Sequence, residues 1–252
     1  MEINKKKILI ATGGTGGHVF PSISLVDFLK KEYEIEITID NRGLKFLKNF
    51  NYTRINIVNT ETIFEKNIFR FLRKFLVLFF SFFRSIFLII KLKPKLVIGM
   101  GGYSSFPICL SAYIFRIPVL IYENNLIIGR ANKFLLPFIK KILIANPSIK
   151  GINSKYKNKI LFTGYLLRSS IFQIEKNDYK INNKKNLSIL IIGGSQSAKI
   201  FSESLPIVIN KCNLNNIKFT IFQQCLDKNK EMLENFYKKL NLNFKLFSFS
   251  ES

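Results

Sequence analysis

The sequence predicts an α/β fold: two Rossmann-like, doubly wound parallel-sheet domains, the second incomplete. Three observations carry this expectation. Short apolar runs alternate with longer stretches of helical period, the pattern of strand-helix-strand units. Glycine-rich turns close several of those runs, where a doubly wound sheet opens its ligand crevice. After a polar stretch the same pattern restarts with "SILIIGGSQSAKI", residues 188–200.

Taken in chain order, strands are expected near 8–11, 35–39, 55–58, 96–99, 118–121 and 141–145, separated by helices. Residues 1–168 then form one complete domain. The stretch 169–186, rich in Asn, Lys and Asp, reads as a linker. Residues 187–252 supply a strand near 188, others near 217–222 and 243–247, and the helices between them. Three strands leave an apolar sheet edge open, so the chain is expected to stop in mid-domain.

Composition narrows the function classes. The chain has 252 residues, 48% of them hydrophobic, enough for a large core or two modest ones. Its formal net charge of +23 is normally a sign of phosphate-bearing partners. Abundant Lys, Asn, Ile and Phe with no Trp equally follow from a codon bias towards A and T, and no nucleic-acid module has its spacing here. No nucleic-acid partner is expected. Cys109, Cys212 and Cys225 are odd in number and far apart, so neither a disulfide framework nor a metal site is expected. Lys5 to Lys7 precede only about five apolar residues, too few for a signal peptide, which places the protein on the cytoplasmic side.

The glycines carry the chemistry. "ATGGTGGH", residues 11–18, packs Gly13, Gly14, Gly16 and Gly17 between a strand and a helix. Free N–H groups and the positive end of a helix dipole suit an anion there, and glycine lets it approach the backbone. Two familiar phosphate motifs fail on spacing. A dinucleotide fingerprint from Gly14 needs a glycine where Val19 stands, although Asp40 lies where a ribose-binding acid belongs. The turn from Gly193 lacks the second glycine and the magnesium-binding hydroxyl of a P-loop, at Ala198 and Ile200. A third turn, "VIGMGGYSSFP" (97–107), puts Gly101, Gly102, Tyr103 and Ser104 at a strand end, and "IYENNLIIGRANK" (121–133) does so for Glu123, Asn124 and Asn125.

Four stretches in this order, "GGTGGHVFP", "GMGGYSSFP", "YENN" with its following Gly and Ala-Asn, and "IIGGSQSAK", run over the whole chain and closely resemble the MurG family of glycosyltransferases, family 28. The resemblance implies a GT-B architecture with a cleft between two domains. It also implies inverting, metal-free and cofactor-free transfer of GlcNAc from UDP-GlcNAc to a lipid-linked muramyl-pentapeptide of the cell wall. Residue by residue, it implies donor contacts at Thr15, Gly16, Gly17, Asn125, Arg168 and Ser195, and an acceptor-side phosphate turn at Gly13, Gly14 and Gly101 to Ser104. Tyr165 and Leu166 replace the family's Asn-Pro before Arg168, and Ser197 replaces a glycine. The family's further strands, with uracil and ribose contacts, have no counterpart before Ser252.

Inverting transfer needs a base at the attacking hydroxyl and a stabilised leaving diphosphate. His18 and Glu123 are the two candidate bases, and the sequence leaves both open. A helix start beside His18 favours its neutral form. The segment 69–93 raises the membrane question. Its apolar run from Phe75 to Ile90 covers only about 24 Å as a helix and contains Arg84, so it is not expected to span a bilayer. Arg73, Lys74, Phe79, Phe82 and Arg84 instead suit a helix lying on an anionic membrane surface, at the cytoplasmic face. The plainer alternative is a crossover helix covering the sheet. Two other functional readings stay open: a GT-B transferase with a different lipid acceptor, and a non-catalytic acceptor- or membrane-binding module.

Overall fold

The structure is a computed structural model describing residues 5–47, 53–61, 67–168, 171, 187–193, 197–214 and 219–248. It divides into two compact units, Met1–Glu175 and Lys176–Ser252.

Among the described residues the first unit holds seven strands: β1 (Lys7–Ala11), β2 (Glu34–Ile39), β3 (Arg54–Ile57), β4 (Leu96–Gly99), β5 (Val119–Glu123), β6 (Lys141–Ile144) and β7 (Ile160–Phe162). They form one sheet in the order β3-β2-β1-β4-β5-β6-β7, with every neighbouring pair parallel. The chain winds outward from β1 in one direction and from β4 in the other. A crevice therefore opens above the carboxyl ends of these two neighbours. Strands buried on both faces need apolar residues at successive positions, and Ile8, Leu9, Ile10 and Ala11 are all buried. Leu9 and Ala11 join one core cluster, Ile8 and Ile10 the other. The expected six strands are found within a residue or two, and β7 was missed. Three residues with exposed Leu161 and Phe162 carry too little period to read.

Among the described residues the α-helices between these strands are α1 (Gly16–Leu29), α2 (Asn41–Leu44), α3 (Ile68–Leu92), α4 (Phe106–Ile114) and α5 (Arg130–Leu135). Val19 and Val26 of α1 pack with Ile8 and Ile10. Leu88 and Ile89 of α3 pack with Ile108, Cys109 and Ala112 of α4 and with Leu135 of α5.

The 25 residues of α3 make it about 37 Å long, more than the 16-residue apolar run suggested. Asn67 caps its start, accepting from the N–H groups of Phe69 and Arg70 at 3.0 and 3.2 Å. Lys93 ends it in the left-handed conformation before Pro94, which cannot continue a helix. Its only buried side chains are Ser81, Ser85, Leu88 and Ile89. Small serines let the helix approach the sheet, while Phe79, Phe80, Phe83 and Phe87 point outward and are exposed. By length and composition α3 could cross a membrane, yet it is also the crossover between β3 and β4. The Ser81 hydroxyl reaches the carbonyl of Asn59, two residues past the end of β3. Residues 68–80 therefore stand beyond the carboxyl ends of the strands, by about 19 Å at 1.5 Å per residue.

The second unit has three parallel strands, β8 (Leu187–Ile191), β9 (Phe219–Gln224) and β10 (Asn243–Phe247), in the order β10-β9-β8. Two helices, α6 (Ser197–Leu214) and α7 (Asp227–Lys239), connect them. Along β9 every second residue is buried: Phe219, Ile221 and Gln223. Phe219 and Ile221 share an apolar cluster with Leu233 and Tyr237 of α7, and the Tyr237 hydroxyl donates to the side-chain Oε1 of Gln223.

Candidate functional site

The site is assembled where β1, β2, β4 and β5 end. After Ala11 the chain turns through Gly13 (φ +146°) and Gly14 (φ +80°) before α1 begins at Gly16. A side chain at Gly13 is excluded twice over. Its backbone lies in the region glycine favours, and a Cβ would fall 2.6 Å from the Ser104 hydroxyl and 2.7 Å from Asp40 Oδ1. Thr15 is the extended N-cap of α1, and its side chain makes no cap bond.

Asp40, the acid the sequence placed at a ribose-binding position, has another task. It is buried, and Oδ1 accepts the N–H of Gly14 at 2.8 Å and of Gly43 at 3.0 Å. Oδ2 accepts Nε and Nη2 of Arg42 at 2.8 and 2.6 Å. A carboxylate so engaged shapes the glycine turn, and no lone pair of it is left for a ribose.

His18 is the third residue of α1, and its ring lies against the turn after β4. A Cβ on Gly101 (φ +90°) would meet the ring at 2.9 Å, so only glycine lets the two strand ends close this tightly. Burial pushes the His18 pKa down from 6.5, opposed by the charges of Glu123 and Asp40 and by a hydrogen bond to the Met100 backbone. The neutral form expected from the sequence is therefore favoured, and burial is its main cause. A ring nitrogen that donates to the Met100 backbone leaves the other as an acceptor, the arrangement a base requires.

Glu123 ends β5 and is buried. Its Oε1 accepts the backbone N–H and side-chain Nδ2 of Asn125 at 3.1 and 2.7 Å, and Oε2 accepts Gly129 N–H at 2.8 Å and Asn132 Nδ2 at 3.0 Å. All four places on this carboxylate are filled, by donors of the loop that follows it and by Asn132 of α5. The same loop is tied to α1. Pro21 has no N–H to offer the carbonyl of Gly17 one turn earlier, and Asn124 Nδ2 takes that carbonyl at 2.8 Å.

These elements line one cleft of about 260 Å³. Gly13, Gly14, Thr15 and His18 form one wall, Gly102 and Tyr103 the next, and Glu123 and Asn125 the third. The remaining residues of the two turns lie behind or beside it. Gly101 backs the His18 ring, buried Ser104 sits under Gly13, and Gly16 is covered by the Phe20 ring. Gly17 is exposed at the start of α1, where its carbonyl takes the Asn124 amide. Arg168 stacks on Phe20, with its guanidinium carbon 4.7 Å from the ring centre, and does not line the cleft. Ser195 lies outside the described residues. In the second unit the Gly193 N–H is held by Gln224 Oε1 at 3.1 Å.

Five residues that line the cleft were not among the site residues expected from the sequence: Arg42, Gly129, Arg130, Ala131 and Asn132. Asn132 is buried, and its Nδ2 bonds the Tyr122 carbonyl and Glu123. Its carbonyl oxygen has no partner among the described residues. Asn132, with Gly129 and Ala131, belongs to the quoted "YENN", Gly and Ala-Asn motif, the signal that could have drawn attention to it.

The comparisons agree in both halves of the chain. Residues 8–144 match the N-terminal domain model of glycosyltransferase family 28, and residues 188–252 match its C-terminal domain model. A UDP-N-acetylglucosamine--N-acetylmuramyl-(pentapeptide) pyrophosphoryl-undecaprenol N-acetylglucosamine transferase of Pelagibacter ubique is 38% identical over 98% of this chain and 67% of its own length. The Rickettsia felis enzyme of the same name is 32% identical over 98% of this chain and 69% of its own. Among solved structures, MurG of Acinetobacter baumannii superposes with a TM-score of 0.66 at 26% identity, covering 98% of this chain and 67% of that one. A UDP-GlcNAc 2-epimerase from Neisseria meningitidis, bound to UDP-GlcNAc, superposes at 0.59 with 17% identity over 97% of this chain and 73% of its own, a likeness of fold alone. With matches in both domains, and at this identity to its relatives, the chain belongs to glycosyltransferase family 28.

Proposed function

We propose that this chain transfers GlcNAc from UDP-GlcNAc to a lipid-linked, pyrophosphoryl muramyl-pentapeptide, with inversion at the sugar C1. The observation that carries the reading is the meeting of His18 with two glycine turns in one cleft at the carboxyl ends of the sheet. A cleft of this size suits the reacting end of a large acceptor. Its glycine turns, Gly13-Gly14 and Gly101-Gly102 with Tyr103, offer the acceptor's pyrophosphate close access to the backbone, and Thr15 stands at the start of α1, whose N–H groups and dipole attract the same charge. The acceptor hydroxyl gives its proton to the free nitrogen of neutral His18 as it attacks C1, and the UDP diphosphate leaves.

Glu123 serves as a positioning residue. Its four hydrogen bonds hold Asn125 and Asn132 in place and set a negative charge near the imidazolium that forms on His18. The family motifs assign donor contacts to Asn125 and Arg168 in the first unit and to Ser195 in the second. Donor contacts at Thr15, Gly16 and Gly17 belong to the same reading.

The protein works at the cytoplasmic face of an anionic membrane, held through α3. The exposed Phe79, Phe80 and Phe83 form an apolar face, and Arg73, Arg84 and Lys91 lie along its flank, with Phe82 half-buried between the apolar face and the protein and Lys74 on the stripe that carries Ser81 and Ser85. The overhang of residues 68–80 is on the side of the cleft, which brings His18 towards the surface where a polyprenyl acceptor resides.

The test is transfer of labelled GlcNAc to a lipid-linked muramyl acceptor, with a diacylglycerol acceptor alongside. His18→Ala should lower turnover by about 100-fold or more while the donor KM stays within about threefold. Undiminished turnover removes His18 as base. Preference for diacylglycerol favours the other lipid-acceptor reading, and no transfer to either acceptor by the wild-type chain favours a binding module.

A further inference from the structure

Arg42 and Arg130 both line the cleft, and neither has yet been given a role towards a ligand. Arg42 follows β2, and Arg130 opens α5 after β5. Along the sheet order β2-β1-β4-β5 they stand three inter-strand steps apart, about 14 Å at ~4.8 Å per step. Both nevertheless line the same cleft, one at each end, with the glycine turns between them.

The Arg42 side chain is aimed by its neighbours. Buried Asp40 holds Nε and Nη2, and that Asp40 also holds the N–H of Gly14. Turn and guanidinium are thus fixed on a single carboxylate. Nη2 lies 3.8 Å from where a Cβ of Gly14 would be, so the guanidinium covers the turn and the missing side chain leaves room beside it. An arginine has five N–H donors, and the bonds to Asp40 occupy two, leaving the Nη1 edge for a ligand. At the far end Arg130 is exposed beside Gly129, whose N–H is held by Glu123. The two buried carboxylates are each filled by donors from the protein, so neither opposes an incoming anion with a free lone pair.

We propose that Arg42 and Arg130 grip the two phosphoryl groups of the acceptor's pyrophosphate from opposite ends of the cleft, over the Gly13-Gly14 turn. This rests on the reading that the cleft receives the acceptor. Planar guanidinium groups suit phosphoryl oxygens, and two of them at a fixed separation recognise a diphosphate better than a monophosphate.

The experiment is titration of the whole chain with inorganic pyrophosphate, and separately with UDP, followed by calorimetry and by NMR of the sole histidine. Wild type, Arg42→Gln, Arg130→Gln and the double variant are compared. Each single change should weaken pyrophosphate by about tenfold or more and the double by about 100-fold, with UDP affinity unchanged within about twofold. Wild-type chain that ignores pyrophosphate overturns the acceptor reading beneath the proposal. Pyrophosphate bound equally by the double variant overturns the two arginines and leaves that reading standing. UDP weakened in parallel and competing with pyrophosphate makes the occupant the donor's diphosphate, which overturns the proposal as stated. Because Asp40 organises the turn, Arg42→Gln is checked by thermal unfolding, and Arg130→Gln alone decides if that variant fails to fold.

Discussion

Glu123→Gln separates the two carboxylate roles that the sequence left open. Glutamine has the same shape, but one of its oxygens becomes an NH2 group. Whichever way the amide turns, two of the four donors around the site, from Asn125 on one side or from Gly129 and Asn132 on the other, then face another donor. A buried hydrogen bond to a charged group contributes about 1.5–3 kcal/mol, so two lost bonds amount to roughly 3–6 kcal/mol of stability. For a domain stable by about 5–15 kcal/mol this is a large fraction, measurable by denaturant unfolding. The same change has a second readout. The Glu123 charge raises the His18 pKa against the larger effect of burial, so its removal should move the histidine midpoint further below 6.5. With one histidine in the chain, its ring protons report that titration directly by NMR. In turnover, the acid limb should persist in the variant and shift downward, as it must if His18 is the base. A stability loss below about 1 kcal/mol refutes the hydrogen-bond argument. Loss of the acid limb, or a rising His18 midpoint, refutes the assignment of roles.

Because the folded His18 pKa lies below 6.5, the unfolded chain binds more protons in the interval between the two values. The contribution of His18 to stability is therefore complete above 6.5 and is lost as pH falls through that interval, a slope His18→Gln should remove from the unfolding profile. Gly13→Ala should cost about 2 kcal/mol or more, since strained backbone and the contact with Ser104 and Asp40 act together, and thermal unfolding measures it. Changing Phe79 and Phe83 to Ser should abolish sedimentation with anionic liposomes at low salt while leaving the unfolding midpoint within a few degrees, because both are exposed. Unchanged sedimentation would remove α3 as the membrane surface.

Much of this protein was legible in its residue order. Periodicity disclosed the strands, since a parallel sheet covered on both faces demands continuous apolar runs such as Ile8 to Ala11. The glycine turns were legible because a strand-to-helix turn with positive φ at Gly13 and Gly101 tolerates little else. The doubly wound topology then put them above neighbouring strands, β1 and β4.

Contacts between distant segments were not legible. Asp40 binds Gly14 across 26 residues, and Asn124 binds Gly17 across 107. No local pattern announces either bond, so the sequence does not show that the Asp40 carboxylate is already taken. The face of α3 was hidden for a similar reason. Its apolar residues cover most of the helix circumference, and only the close approach permitted by Ser81 and Ser85 selects which side meets the sheet. Local sequence thus determined where this chain turns and what kind of group each turn can accept. Packing between strands far apart in the chain decided that the Asp40 carboxylate is already occupied, that the His18 ring rests against the turn after β4 and which phenylalanines face outward, because hydrogen-bond capacity and buried surface are shared only once the segments meet.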